Sequence, residues 1–296
     1  MQDRFSSFHP IVNFTYFAAV LLFGMLFMHP ILQAVSLASA LVYSIMLNGK
    51  KAVTFNLLYM LPLLLITAVL NPVFNHAGVT ILFYLHNGNP ITLESIVYGV
   101  SAACMFVTVI IWFSCYNAVM TSDKFIYLFG KIMPALSLIF SMVLRFVPRY
   151  IAQLKVISNA QKCIGRDVSQ GTILVRARNG MTILSIMTTW ALENAIETAD
   201  SMKSRGYGLP GRTSFSLIRF DTRDKTIFLI MLGLIAIIVT GAALGENTMR
   251  FFPSMKVPDR SPLSFIVYLA YLGLCLLPVI INAVEEIKWK RIASRM

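Results

Sequence analysis

The sequence predicts an all-α polytopic membrane protein, with about six transmembrane helices and, between the fourth and fifth, a polar cytoplasmic region of long amphipathic helices. Three observations predict it. Of the 296 residues, 57% are hydrophobic and only 13% charged, with a mean hydropathy of +0.73, a balance unlike that of a soluble domain. Apolar runs of span length recur along the chain. Hydrocarbon offers no water to backbone amides and carbonyls, so each crossing takes roughly 20 mostly apolar residues as helix. Finally, the basic residues gather in alternate connecting segments.

The six candidate spans are 14–28, 31–47, 53–71, 95–120, 226–244 and 263–283. The first two are parted only by His29-Pro30 and read as a tight helical hairpin whose proline opens the second helix. With a cytoplasmic N-terminus, every lysine and arginine except Arg250, Lys256 and Arg260 lies on the inner side, as the positive-inside rule requires. The expected topology places both termini in the cytoplasm and the chain in the plasma membrane. The formal charge of +12 then follows from topology and does not call for nucleic acid. The start, MQDRFSSFHP, lacks the basic region and cleavage site of a secretory signal, so the first span is expected to be retained.

Three blocks result: 1–120 with the first four spans, 121–225 with the polar helices, and 226–296 with the last two spans and a basic tail. The outer loop 71–94 contains VTILFYL, which is β-prone, followed by the turn signal HNGNP, and predicts a small hairpin or re-entrant flap. The segment 123–148 is apolar but carries Lys124, Lys131 and Arg145, and reads as a surface-lying helix broken near Pro134. Between Pro148 and Gly165, Ile151, Leu154, Ile157, Ala160 and Ile164 recur at helical spacing, opposite Lys155, Asn159, Lys162 and Arg166. A second helix, from Thr182 to Ser204, presents Ile183, Ile186, Met187, Trp190, Ile196, Ala199 and Met202 on one face, with Glu193, Glu197, Asp200 and Ser204 opposite.

Nothing in the sequence points to catalysis or to a cofactor. HExxH, GxSxG and GxxxxGK[ST] patterns are absent, and no carboxylate pair falls inside a span. Cys104, Cys115, Cys163 and Cys275 show no ligand spacing and suit neither a zinc site nor a disulfide framework. His9, His29, His76 and His86 are scattered near membrane ends and read as interfacial anchors rather than metal ligands.

The two amphipathic helices each end in an exposed arginine, Arg166 and Arg205. In SMKSRGYG, residues 201–208, Lys203, Arg205 and Gly206 meet the requirements of an ordinary helix stop: a left-handed glycine for the orphan carbonyls and positive charge at the negative end of the dipole. The paired arrangement suggests more, since an arginine on an abruptly ended helix can enter a partner's groove and bind a carboxylate through two hydrogen bonds.

The stretches FHPIVNFTYF, LRFVPRYIAQLKVISNAQKCIGRD and ADSMKSRGYG, in that order, resemble the transmembrane T component of energy-coupling factor (ECF) vitamin and metal transporters, the EcfT/CbiQ family. The similarity covers nearly the whole chain and is most specific over residues 144–208. It implies that the long helices are coupling helices whose ends dock two ABC-type ATPase subunits through Gly165-Arg166-Asp167 and Ser204-Arg205-Gly206. The first triplet departs from the family's commoner alanine-arginine-glycine form, and Asp167 is expected to offset part of the Arg166 charge. The resemblance also implies that Ile183, Ile186, Met187, Trp190 and Met202 support a membrane-embedded substrate-binding S component, and that the chain itself is not an enzyme. The alternatives are a conventional ABC permease that lines the substrate path itself and a membrane enzyme without recognised motifs.

Overall fold

The computed structural model describes residues 3–84, 88–130, 133–209, 219–245, 247, 249–255 and 262–293. His86 and the start of the HNGNP turn, Lys131, Lys256 and Arg260 lie outside them. The chain divides into two units: Met1–Phe125 with Ile218–Met296, and Ile126–Leu217.

A short 3-10 turn, Phe5–Ser7, precedes α1 (Pro10–Leu26) and α2 (Pro30–Asn48). Next come α3 (Lys50–Phe55), a π-helical turn at Asn56–Met60 and α4 (Leu61–Phe74), which together form one apolar stretch of 25 residues. A hairpin of β1 (Ile81–Tyr84) and β2 (Pro90–Thr92) leads into α5 (Leu93–Val119), and α6 (Ser122–Gly130) contains the border between the units. The second unit is built on α7 (Pro134–Cys163) and α8 (Ile173–Ser204); α9 (Thr222–Ala243) and α10 (Pro262–Ala293) complete the first.

Among the described residues, five stretches are long and apolar enough to cross a membrane: Pro30–Asn48, Lys50–Phe74, Leu93–Val119, Thr222–Ala243 and Pro262–Ala293. The sixth predicted span is α1, an apolar helix of 17 residues. At 1.5 Å per residue it reaches about 26 Å, slightly less than a hydrocarbon core of roughly 30 Å. The last helix runs on to Ala293, so the basic residues Lys288, Lys290 and Arg291, expected in a tail, continue the helix.

Large aromatic side chains fill the core of the bundle. Tyr16, Phe17, Tyr43 and Trp112 are fully buried around Phe5, with edge-on contacts such as Tyr16 to Trp112 at 5.9 Å. Several polar atoms carried inside find partners within the chain, since lipid offers none. Trp112 Nε1 donates to Ser36 Oγ at 3.1 Å, the Tyr16 hydroxyl to the Cys275 carbonyl at 3.1 Å, and Gln33 Nε2 to the carbonyls of Gly24 and Phe27 at 2.7 and 2.9 Å. Helices α4 and α5 pass so closely that a Cβ on Gly99 would stand 2.8 Å from the Ala68 carbonyl oxygen.

Two histidines take a role other than the expected one. His9 and His29 are buried N-caps rather than interfacial anchors. In each, ring Nδ1 accepts the amide hydrogen two residues on, from Ile11 at 3.2 Å and Ile31 at 3.3 Å, while the following proline occupies the first helical position, where no amide donor is needed. The ring proton of His29 therefore resides on Nε2, 3.1 Å from the Tyr268 hydroxyl.

One end of the bundle gathers the start of the chain, the start of α9 and the last turns of α10. Asn282 Oδ1 accepts the Arg4 and Phe5 amides at 2.9 and 3.3 Å, and its Nδ2 donates to Asp3 at 2.6 Å. Arg4 and Arg223 both reach Glu285, at 3.5 and 3.3 Å, and Lys124 donates to the carbonyls of Ser6 and Val119. The beginning of the chain and the end of α10 thus share one end of the bundle.

Candidate functional site

The candidate residues lie on α7 and α8. Pro134 opens α7 at its first helical position, in agreement with the predicted break. Pro148, the sequence boundary between the segment 123–148 and the amphipathic stretch that follows, lies inside the 30-residue α7; it removes one amide donor, and the turns on either side keep the helix continuous. The second helix begins at Ile173 rather than Thr182. Residues 173–181, ILVRARNGM, lack a clean apolar stripe, but Arg, Ala, Leu and Met favour helix intrinsically.

The helices pair as an antiparallel hairpin. Tyr150 meets Trp190 edge-on with ring centroids 5.4 Å apart, and the Arg149 guanidinium lies 5.6 Å from the centre of the same indole, a cation–π contact. Nearer the connection, Asn179 Nδ2 donates to the Asp167 carbonyl at 3.0 Å and Arg176 Nε to the Val168 carbonyl at 2.8 Å. Among the described residues of these two helices, Ile157 and Ile183 are the buried ones.

Both helices close with the same backbone device. At the end of α7, the Gly165 amide donates to the Lys162 carbonyl at 3.0 Å and the Arg166 amide to the Gln161 carbonyl at 2.9 Å. At the end of α8, the Gly206 amide donates to Lys203 at 3.0 Å and the Tyr207 amide to Met202 at 3.0 Å. Gly165 and Gly206 adopt φ of +76° and +79°. Each end is a Schellman motif, in which a left-handed glycine folds the chain back to satisfy two terminal carbonyls. The arginines occupy different positions within it: Arg205 immediately precedes its glycine, whereas Arg166 immediately follows.

Both arginines are exposed, and among the described residues neither takes part in an ion pair. Asp167 was expected to offset Arg166, but it pairs with Lys162, Nζ to Oδ2 at 3.5 Å, while its Oδ1 accepts the Ser169 amide at 3.0 Å. The Ser169 amide first, then the Ser169 side chain, and to a smaller extent Lys162 hold the Asp167 carboxyl below its ordinary pKa because all three favour the charged form. Asp167 therefore braces the turn, and among the described residues it forms no ion pair with Arg166.

The two arginine ends are far apart. Asp167 is bonded to Asn179, and from Asn179 to Arg205 the helix rises roughly 40 Å at 1.5 Å per residue. Of the residues expected to face a second partner, Ile183 is buried and Trp190 is engaged by Tyr150 and Arg149. Ile186 is exposed, and Met187 and Met202 are partly exposed. The braces from Lys162, Arg176 and Asn179 escape sequence reading, because the helix start assigned at Thr182 leaves Arg176 and Asn179 in a loop.

This is a multi-pass helical membrane protein whose second unit is a helical hairpin ending in two separated, arginine-bearing Schellman turns. The sequence model of the cobalt transport protein family CbiQ matches residues 5–217, and the chain belongs to that family. It is 34% identical over 109 residues to the energy-coupling factor transporter transmembrane protein EcfT of Lactobacillus helveticus (strain DPC 4571), a match covering 36% of this chain and 39% of that protein. It is 38% identical over 105 residues to the protein of the same name from Staphylococcus aureus (strain 04-02981), covering 35% and 39%. A third such protein, from Lactococcus lactis subsp. cremoris (strain MG1363), is 33% identical over 93 residues, covering 31% and 35%. The chain thus matches about two fifths of the length of these relatives.

Proposed function

We propose that this protein is the transmembrane coupling component of an energy-coupling factor importer, passing ATP-driven motion of two ABC-type ATPase subunits to a membrane-embedded, substrate-binding S component for vitamin or metal-ion uptake. The observation that carries this reading is the pair of exposed arginines, Arg166 and Arg205, which form no ion pair among the described residues and are each presented by a rigid helix end about 40 Å from the other along α8. A long helix transmits displacement as a rigid body, so α8 links one ATPase to the other and both to whatever rests on its exposed faces.

In this reading the functional blocks are 1–120 and 226–296 as membrane helices and 121–225 as the coupling region, with both termini and both arginine ends in the cytoplasm. Gly165, Arg166 and Asp167 serve one ATPase, and Ser204, Arg205 and Gly206 the other. Ile186, Met187 and Met202, with the exposed parts of α8, support the S component; Ile183 and Trp190 act indirectly by holding α7 against α8. Hydrolysis takes place on the ATPases, and the chain is non-catalytic.

The test is charge reversal. Arg166→Glu with Arg205→Glu is expected to abolish co-purification of the ATPases and uptake, leaving the chain membrane-inserted, and each single change to weaken capture less. Intact capture and transport by the double variant refutes the mechanism. Substrate binding by the purified chain alone supports a conventional permease instead.

A further inference from the structure

The hairpin between α4 and α5 combines a fixed pose with exposed apolar side chains. Its pose is set by polar contacts with the start of α5. Thr80 donates to the Glu94 carboxylate through its amide at 3.2 Å and its hydroxyl at 2.9 Å, and the Thr80 carbonyl accepts the Leu93 amide at 3.0 Å. Thr92 Oγ1 donates to the Ala77 carbonyl at 2.7 Å and Ser95 Oγ to the Asn75 carbonyl at 2.5 Å. Gly78, at φ +138°, permits the close approach, since a Cβ there would stand 2.6 Å from Glu94 Oε2.

Strand β2 tucks Ile91 and Thr92 into the protein. On β1, by contrast, Ile81, Leu82, Phe83 and Tyr84 are all exposed, by 46% to 64%. Successive residues of a strand point to opposite faces, so β1 is apolar and uncovered on both. Alternation with polar residues, expected of a strand with one face in water, is missing. No Asp, Glu, Lys or Arg occurs from Ala52 to Leu93, although a loop in water would ordinarily carry charge. The strand also stands between the ends of two membrane-crossing stretches, with Phe74 at the end of α4 itself 77% exposed.

We infer that β1 is immersed in the headgroup and acyl boundary of the bilayer, on the side opposite the start of the chain, as a lipid-binding platform locked to α5. The covering partner is lipid because the surface is continuous with that of the spans, is uncharged, and offers aromatic and branched side chains suited to the membrane interface. The hairpin thereby fixes the depth and orientation of the α4–α5 pair.

The test uses the full chain, reconstituted alone into vesicles of phosphatidylethanolamine and phosphatidylglycerol. An environment-sensitive fluorophore is placed on Leu82→Cys or Phe83→Cys in a Cys163→Ser background, with Asn89→Cys, in the turn, as reference. Gel filtration confirms that each variant is folded. The expected result at one or both strand positions is blue-shifted emission and several-fold stronger quenching by phospholipids spin-labelled near the headgroup than at position 89. Water-like emission at both positions, indifferent to the spin-labelled lipid, overturns the inference. It is equally overturned if the shift arises only when another membrane protein is added, which would make the hairpin a protein-docking surface.

Discussion

Arg166 and Arg205 owe their exposure to the glycines beside them. An L-residue in the left-handed region is disfavoured by about 1 kcal/mol, so Gly165→Ala and Gly206→Ala are each expected to loosen a helix end by about that amount. The second should be the more damaging, because the new Cβ would also crowd Leu209 Cδ1 at 3.1 Å, whereas the surroundings of Gly165 are open. Faster hydrogen exchange at the Arg166 and Tyr207 amides, respectively, is the readout, with helix content unchanged. Asp167 adds a pH dependence. Its folded pKa is depressed, so its contribution to the turn is full above the unfolded carboxyl's pKa and is lost as the pH falls through the folded value. Exchange at the Ser169 amide, corrected for the intrinsic rate, should therefore rise on acidification, and Asp167→Asn should remove that dependence. An unchanged profile in the variant assigns the effect to another group.

At the scale of elements, the α7–α8 pair is held by few contacts for its length, and Trp190 joins two of them. Trp190→Ala is expected to destabilise the hairpin by roughly 2 kcal/mol, from lost ring contact and the lost Arg149 stack, and to increase limited proteolysis near Ile183 while the membrane bundle keeps its melting temperature. Equal loss in both units would contradict this assignment. The same elements show what pattern reading can and cannot reach. The break at Pro134 and the stops at Gly165 and Gly206 were legible because proline and glycine act locally. The continuity of α7 through Pro148 was not, since one missing hydrogen bond can be outweighed by the helix on either side. The true start of α8 was hidden because ILVRARNGM has helix-forming residues without an apolar stripe, and Trp190 read as open surface because its partner, Tyr150, is 40 positions away in sequence.

At the scale of the whole molecule, the six apolar segments were readable because bilayer thickness imposes a length and forbids unpaired backbone groups. The interior was less so: the tie from Asp3 to Asn282 and the ring of aromatics around Trp112 join residues remote in sequence, and periodicity carries no information about such pairs. The arginine motifs were legible as residues, but their separation emerged only with the full length of α8. In the proposed function each arginine end meets its own ATPase subunit. This is tested most directly by photocrosslinking in native membranes from a reactive residue at Ile164, two residues before Arg166, or at Ser204, next to Arg205, both exposed, with Glu193 in mid-helix as control. The account predicts an ATPase adduct from 164 and from 204, and none from 193. Adducts confined to 193, or their absence from either helix end, would contradict it.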